Sequence, residues 1–342
     1  MTFADDRSAT MDALKRALPY VRLFKGKTFV VKIGGAPCSE PAQLRELAEQ
    51  LSVVRELGVH VVLVHGGGPQ TTELSKKLGL QPRMIEGRRV TDAAALDVAV
   101  MTMNGSVGTA VLSACRAVGL QAVGVSGLDA GLVKARRRAP RSVIVDGAPQ
   151  MVDFGHVGDV EQVDPTLLKS LLAAGYLPVV SPLSADEQGN VLNINADTVA
   201  ASLARALCAE KLVFVSDVPG ILEDRNDPSS LISCTDLRGL EELVENGSVT
   251  TGMLPKISAI RMALDQGVAR VHVIGNQRAS LLTEIFTNEG SGTLIVRDRR
   301  ELSAAEKAAS GETSNGATAS TAAGISAAAA SAPPEAARAM GA

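Results

Sequence analysis

Residues 59–70, VHVVLVHGGGPQ, leave few folds open to the chain. The first six form a nearly continuous apolar run, the pattern of a parallel strand buried on both faces. The run breaks into His65, Gly66, Gly67, Gly68 and Pro69, and a helix-like stretch follows. Glycines at the carboxyl end of a strand let the backbone turn sharply and approach a ligand with no Cβ in the way. The N–H groups that open the next helix favour an anion. Taken alone, the triplet reads equally well as a strand–helix turn with no ligand.

A second strand ends the same way. Residues 28–35 read TFVVKIGG, an apolar strand with Lys32 near its end and then Gly34 and Gly35. Ligands of open α/β sheets bind outside the carboxyl ends of the strands. Two glycine turns at one sheet edge could therefore hold one anionic group between them. A lysine in a buried strand is costly unless paired, so Lys32 is expected to face that anion.

The rest of the chain keeps the rhythm. Strands are predicted at 28–33, 59–65, 121–126, 177–183, 211–216, 270–274 and 293–296. Helices are predicted at 41–57, 70–78, 92–118, 165–174, 196–208, 235–245, 254–266 and 280–286. Thr91 or Asp92 would cap the helix at 92–118. Regular alternation predicts an α/β fold, a mainly parallel sheet with helices on both faces. Residues 132–163 read as hairpins with a turn at Asp146 and Gly147. Residues 11–25 form an amphipathic helix kinked or broken at Pro19, with no evident place in the core. The Ala/Ser-rich residues 301–342 can bury little and are expected to be disordered.

The 342 residues, 46% of them apolar, can build a large core, which with 2% aromatics and no Trp must be aliphatic. A net charge of −3 with so few aromatic rings argues against nucleic-acid binding. The basic residues 136–138 and Arg141 read as a solvated turn. Cys38, Cys115, Cys208 and Cys234 form no CxxC pair, so neither a zinc site nor a disulfide framework is expected and a reducing cytoplasm fits. The first residues lack the apolar core of a signal peptide, and no membrane-spanning run is expected.

Common nucleotide motifs fail. A P-loop ending at 26–28 would need glycine where Val21 stands, and a dinucleotide fingerprint begun at Gly66 meets Thr71 in place of its last glycine. Other clusters stand out. Asn193-Ile194-Asn195-Ala196-Asp197 opens a helix, where Asn195 or Asp197 caps it, or Asn193 binds substrate and Asp197 orients cationic groups. Residues 251–256, TGMLPK, bring Lys256 to a helix start, where a cation is unfavourable without a nearby anion. Arg88 or Arg89, after Gly87, could clamp a carboxylate.

In order, KIGG (32–35), HGGGP (65–69), GRRVTD (87–92), SGLDAGL (126–132), NINAD (193–197), SDVPGIL (216–222) and TGMLPK (251–256) resemble the amino acid kinase family, and within it the acetylglutamate kinases. The resemblance implies a three-layer αβα sandwich. It implies ATP-dependent phosphorylation of the side-chain carboxylate of N-acetyl-L-glutamate in arginine biosynthesis, with Mg2+ carried by ATP and no resident metal. The amino-terminal lobe, 27–185, would bind acetylglutamate and make subunit contacts; the carboxyl-terminal lobe, 186–300, would bind ATP. By position, Lys32 and Lys256 match the lysines that stabilise the transferring phosphoryl group, Asp197 the residue that holds them, and Gly35 and Gly67 the amides that contact it. Gly67, Gly68, Arg89 and Asn193 match substrate-binding positions. Lys32, Gly34, Gly35, Ser216, Asp217, Gly220, Gly252, Met253 and Lys256 would flank the nucleotide. Because the attacking carboxylate is already ionised near neutral pH, the reaction needs charge neutralisation and alignment, not a base.

Residues 1–26 resemble the N-terminal helix that interlaces arginine-inhibited hexamers. That resemblance leaves a homodimer or hexamer and an L-arginine effector as expectations, with Glu284 and Gly292 the effector residues kept in the carboxyl-terminal region, and leaves a PII-type regulator open. Residues 275–293 match the carboxyl-terminal region of those arginine-inhibited members only in part: a histidine is absent and the segment is one residue shorter. Gly108 and Thr109 stand where the family carries Asn and Lys, and residues 36–38 where it carries Asn-Ala-Met. Competing expectations are a sibling kinase for a carrier-linked acidic amino acid and a kinase-like arginine-binding regulatory module.

Overall fold

In the computed structural model the described residues are 17–302 without 86–87, 146–147, 225, 228, 250–251 and 288–289, together with Met11 and Lys15. The predicted turn at Asp146 and Gly147, the tail from residue 303 and most of the chain before residue 17 lie outside them. In chain order the elements are β1 (Thr28–Ile33), α1 (Pro41–Glu56), β2 (His60–His65), α2 (Gly68–Lys77), β3 (Met84–Ile85), β4 (Arg88–Arg89), α3 (Ala93–Val100), α4 (Gly108–Ala117) and β5 (Ala122–Ser126). Next come β6 (Val133–Arg137), β7 (Arg141–Val145), β8 (Ala148–Val152), β9 (Gly158–Val163), α5 (Thr166–Ala173), β10 (Leu177–Ser181), β11 (Leu183–Ala185) and β12 (Val191–Asn193). Then follow α6 (Ala196–Ala206), β13 (Lys211–Ser216), β14 (Cys234–Asp236), α7 (Leu237–Glu245), α8 (Leu254–Asp265), β15 (Arg270–Gly275), α9 (Ser280–Phe286) and β16 (Thr293–Val296).

The main sheet has eight strands in the order β14-β16-β15-β13-β1-β2-β10-β5. All neighbours are parallel except β15 and β16, which are antiparallel. Side chains alternate across a strand, and the core divides accordingly. Phe29, Val31 and Ile33 join Leu63, Val213 and helices α1, α4 and α9 on one face. Val30, Val64 and Phe214 join α5, α6 and α8 on the other. The fold is therefore the expected three-layer αβα sandwich. Lys32, one residue on from Val31, falls on the α6–α8 face.

From β1 the chain moves outward to β2, and from β13 it moves the opposite way to β15. The connections diverge between β1 and β13, the kind of switch point at whose carboxyl ends open α/β sheets bind their ligands. The turn after β1 and, at the end of β13, Ser216 and Asp217 lie at that switch point.

Several sequence expectations change. Residues 17–24 are helical without a break at Pro19. Their end enters the core: the Phe24 ring lies 5.2 Å edge-on to Phe29 and 6.5 Å from Phe286. Asp92, not Thr91, caps α3, its carboxylate accepting from Ala95 N at 2.8 Å. The helix at 92–118 widens to π geometry over Met101–Val107, where Gly105 weakens the preference for a regular α-helix. Its full span, Ala93–Ala117, is apolar and long enough to cross a membrane by composition, contrary to expectation. Here Val98, Ala99, Met103, Val107, Val111 and Cys115 are buried in the protein interior. The 177–183 strand divides at Pro182, so that β11 joins a second sheet, β12-β11-β6-β9. Among the described residues of 132–163, β7 pairs antiparallel with β8 as expected, while β6 pairs antiparallel with the distant β9.

Candidate active site

Lys32 needs a partner because β1 is buried. It finds one across the layer: Lys32 Nζ lies 2.7 Å from Asp197 Oδ1. Asp197 stands in the first turn of α6, an acidic residue at the favoured end of the helix dipole. Asn195 does the capping, its Oδ1 accepting from Asp197 N at 2.7 Å and Thr198 N at 3.3 Å, and this leaves the Asp197 carboxylate free for cations. Lys256, in the first turn of α8, brings its ammonium to 3.4 Å from the same oxygen. It also rests 4.7 Å above the Phe214 ring. Phe214 pairs in register with Lys32.

Two ammoniums therefore share one carboxylate in a largely buried cluster. Burial pushes the Asp197 carboxyl up, but the two lysines outweigh it and hold it below the usual range. Burial, and next the charge of Lys32, drive Lys256 down to about 8 against the pull of Asp197. With all three groups ionised the cluster carries one uncompensated positive charge. An incoming anion would balance it.

The glycine turns supply neutral donors beside this charge. Gly34 N donates to Val215 O at 3.1 Å and Gly66 N to Ile33 O at 3.0 Å, so both turns are tied to the sheet end. A Cβ on Gly66 would lie 3.6 Å from Gly35 N and 4.0 Å from Ala196 Cβ. The two turns and the start of α6 thus converge, and a side chain at Gly35 would collide with Pro69. Helix α2 begins at Gly68, two residues earlier than expected, so its opening N–H groups have no acceptor within the helix. Arg89 bends over that end, donating to Gly68 O at 3.1 Å and to Thr72 Oγ1 at 2.6 Å, and burial lowers its pKa. Asn193 Nδ2 donates to Thr91 Oγ1 at 3.4 Å.

At the end of β13, Ser216 Oγ donates to Asp217 Oδ1 at 3.2 Å. Gly220 is closely packed by Leu231 and Thr293. Gly252 and Met253 lead into α8, with Met253 at its cap position; Thr251 and Gly87 lie outside the described residues. Glu284 and Gly292 meet each other. Glu284 Oε2 accepts from Gly292 N at 3.0 Å and Ser291 N at 2.7 Å, while Oε1 lies 2.6 Å from His272 Nδ1. Burial raises this carboxyl, but the His272 contact, the Ser291 amide and the charge of Lys211 prevail and bring it to about 2. Lys211 Nζ stands 3.0 Å from the other ring nitrogen of His272. Sequence reasoning missed His272, Lys211, Phe214 and Gln70. A polar residue inside the apolar strand at 270–275 was the available signal for His272; Phe214 and Gln70 carried none.

A family model described as the amino acid kinase family matches residues 27–275. The chain belongs to the amino acid kinase family. Among its relatives in that family, the acetylglutamate kinase of Myxococcus xanthus is 48% identical over 295 residues, covering 85% of this chain and 96% of the relative. The chloroplastic acetylglutamate kinase of Arabidopsis thaliana is 41% identical, covering 83% of this chain and 80% of that one. Among solved structures, N-acetylglutamate synthase of Neisseria gonorrhoeae complexed with coenzyme A and N-acetyl-glutamate superposes with a TM-score of 0.72 at 28% identity, over 84% of this chain and 63% of that longer chain. A Giardia carbamate kinase shares the fold, with a TM-score of 0.58 at 16% identity over 80% of this chain and 99% of that one.

Proposed function

We propose that this member of the family transfers the γ-phosphoryl group of ATP to the side-chain carboxylate of N-acetyl-L-glutamate, giving N-acetyl-L-glutamyl 5-phosphate for arginine biosynthesis. The relatives named acetylglutamate kinase at up to 48% identity over most of the chain support the substrate. One observation supports the chemistry: Lys32 and Lys256 meet at Asp197 beside two glycine turns.

In this reading a carboxylate oxygen attacks the γ-phosphorus. The new P–O bond forms as the bond to the β–γ bridging oxygen breaks, and that electron pair leaves with ADP. No proton moves. Lys32 and Lys256 neutralise charge on the migrating group from two sides, and Asp197 holds both ammoniums in place. Gly35 and Gly67 present N–H donors to the same oxygens. Arg89 and Asn193 hold the acceptor in the amino-terminal lobe. Ser216, Asp217, Gly220, Gly252 and Met253 border the nucleotide in the carboxyl-terminal lobe. A donor set of ammoniums and amides repels a free cation, so the residues present fit Mg2+ that arrives on the nucleotide, where it screens phosphate charge.

The same proposal includes assembly as a homodimer or hexamer through the N-terminal helix, L-arginine as effector near Glu284 and Gly292, a PII-type partner and a cytoplasmic location. The test is ADP release and hydroxylamine-trapped acyl phosphate from ATP and N-acetyl-L-glutamate, with and without L-arginine. Turnover only with a carrier-linked acid would replace the substrate. Arginine binding with no ADP from any acceptor would replace the enzyme with a regulatory module.

A further inference from the structure

We infer that Gln70 is a positioning residue that sets the direction of the Gly35 N–H by clamping one glycine turn to the other. This rests on the phosphoryl-transfer reading. Gln70 stands in the first turn of α2, just past the second glycine turn. Its Nε2 donates to Gly35 O at 2.6 Å and to Ser39 Oγ at 2.8 Å, both in the segment after β1. The amide orientation is fixed, because a flipped side chain would set Oε1 against the Gly35 carbonyl, acceptor to acceptor. Oε1 itself is buried and finds no hydrogen-bond partner among the described residues. A buried acceptor left unpaired is unfavourable, so the two donated bonds are what this side chain contributes.

The peptide between Gly34 and Gly35 lies between fixed neighbours. Before it, Gly34 N is tied to Val215 O at 3.1 Å; after it, Gly35 O accepts from Gln70 and from Cys38 N at 3.0 Å. Its own carbonyl, that of Gly34, accepts weakly from Cys38 Sγ at 3.2 Å. A trans peptide points its N–H opposite its carbonyl, so Gly35 N–H faces away from Cys38. Glycine imposes little conformational preference of its own. Without the Gln70 bonds, one backbone bond on each side of this peptide and a weak thiol contact would be left to fix that direction.

The test compares Gln70→Met, which keeps the length and loses both donors, with Gln70→Glu, which keeps the shape. At saturating ATP and N-acetyl-L-glutamate, kcat of Gln70→Met is expected to fall between about tenfold and about a hundredfold, the cost of a slightly misplaced group, with both KM values within about threefold. The ionised Gln70→Glu carboxylate repels Gly35 O. Burial raises its pKa, and the protonated form regains one donor. Its kcat relative to wild type should therefore rise as pH falls from about 8 to about 5.5, while that of Gln70→Met stays low. Hydrogen exchange in the peptide spanning 33–40 should quicken in Gln70→Met, with β2 unchanged. A kcat within twofold of wild type, losses confined to KM, parallel pH profiles for the two variants, or unaltered exchange would each overturn the inference. The exchange arm needs no substrate. A wild-type enzyme inactive on N-acetyl-L-glutamate whose exchange still responds to Gln70→Met overturns the assigned reaction and supports the clamp.

Discussion

Asp197→Asn isolates the charge arrangement at the centre of the site. Asp197 Oδ1 is 2.7 Å from Lys32 Nζ and 3.4 Å from Lys256 Nζ. At an effective dielectric of about 20 the two attractions amount to about 6 and about 5 kcal/mol before desolvation and lysine–lysine repulsion are set against them. The amide keeps the shape and abolishes both. Two buried ammoniums then face each other uncompensated. Lys256, already at about 8, must fall further and lose its proton near neutral pH. Its charge is then absent when the phosphoryl group migrates, which is worth roughly 10²–10³ in kcat for a donor aimed at developing charge. Breaking a buried pair destabilises by roughly 3–5 kcal/mol, less here because Lys256 can discharge. The assay is coupled ADP release from pH 6 to pH 9.5, with a thermal melt of each protein. The alkaline limb of kcat/KM for ATP should move to lower pH in the variant, so its deficit widens as pH rises. An Asp197→Asn enzyme with kcat within about threefold of wild type and an unmoved alkaline limb would refute the shared-carboxylate account.

Three further outcomes follow from the same geometry. In the wild type, Lys256 is depressed from 10.5 to about 8, so kcat/KM for ATP should decline above about pH 8; a profile flat to pH 10 would show that this ammonium is dispensable. Arg89→Ala should raise KM for acetylglutamate about tenfold or more while kcat changes a few-fold, since a bidentate clamp on a carboxylate contributes to binding; a loss in kcat alone would remove it from the acceptor pocket. Glu284 is lowered from 4.5 to about 2, so its stabilisation, on the order of 3 kcal/mol, is fully present above about pH 4.5 and lost as pH falls toward 2. Denaturant melts of wild type and Glu284→Gln should show a gap that is full at pH 7 and narrows below pH 4.5; a gap constant to pH 3 would contradict the linkage.

How much of this was legible beforehand depended on distance along the chain. The runs that became β1, β2 and β13 showed their burial directly, because a strand covered on both faces cannot alternate in polarity. The glycines after two of them marked the ligand edge, since only glycine lets backbone come so close. Asp197 and Lys256 were legible as an acid and a cation at helix starts. The seven ordered motifs added the family and its substrate. Local signals failed where a neighbour from elsewhere decided the outcome. Pro19 looked like a break, yet the helix carries on to Phe24, whose ring is held by Phe29 and Phe286. The strand at 177–183 was read whole, but its end pairs with β6 and β12 instead of continuing beside β5.

By itself, then, the sequence determined the layers, the glycine edge and the kind of chemistry, because hydrophobic period, backbone freedom and residue charge are properties of short segments. Tertiary structure alone decided that Lys256, 59 residues beyond Asp197, returns to the same carboxylate as Lys32, that Gln70 bridges to Gly35, and that Glu284 is engaged by His272. Those contacts depend on which helix crosses which face of the sheet, and no local preference in the chain encodes the distance between two side chains so far apart.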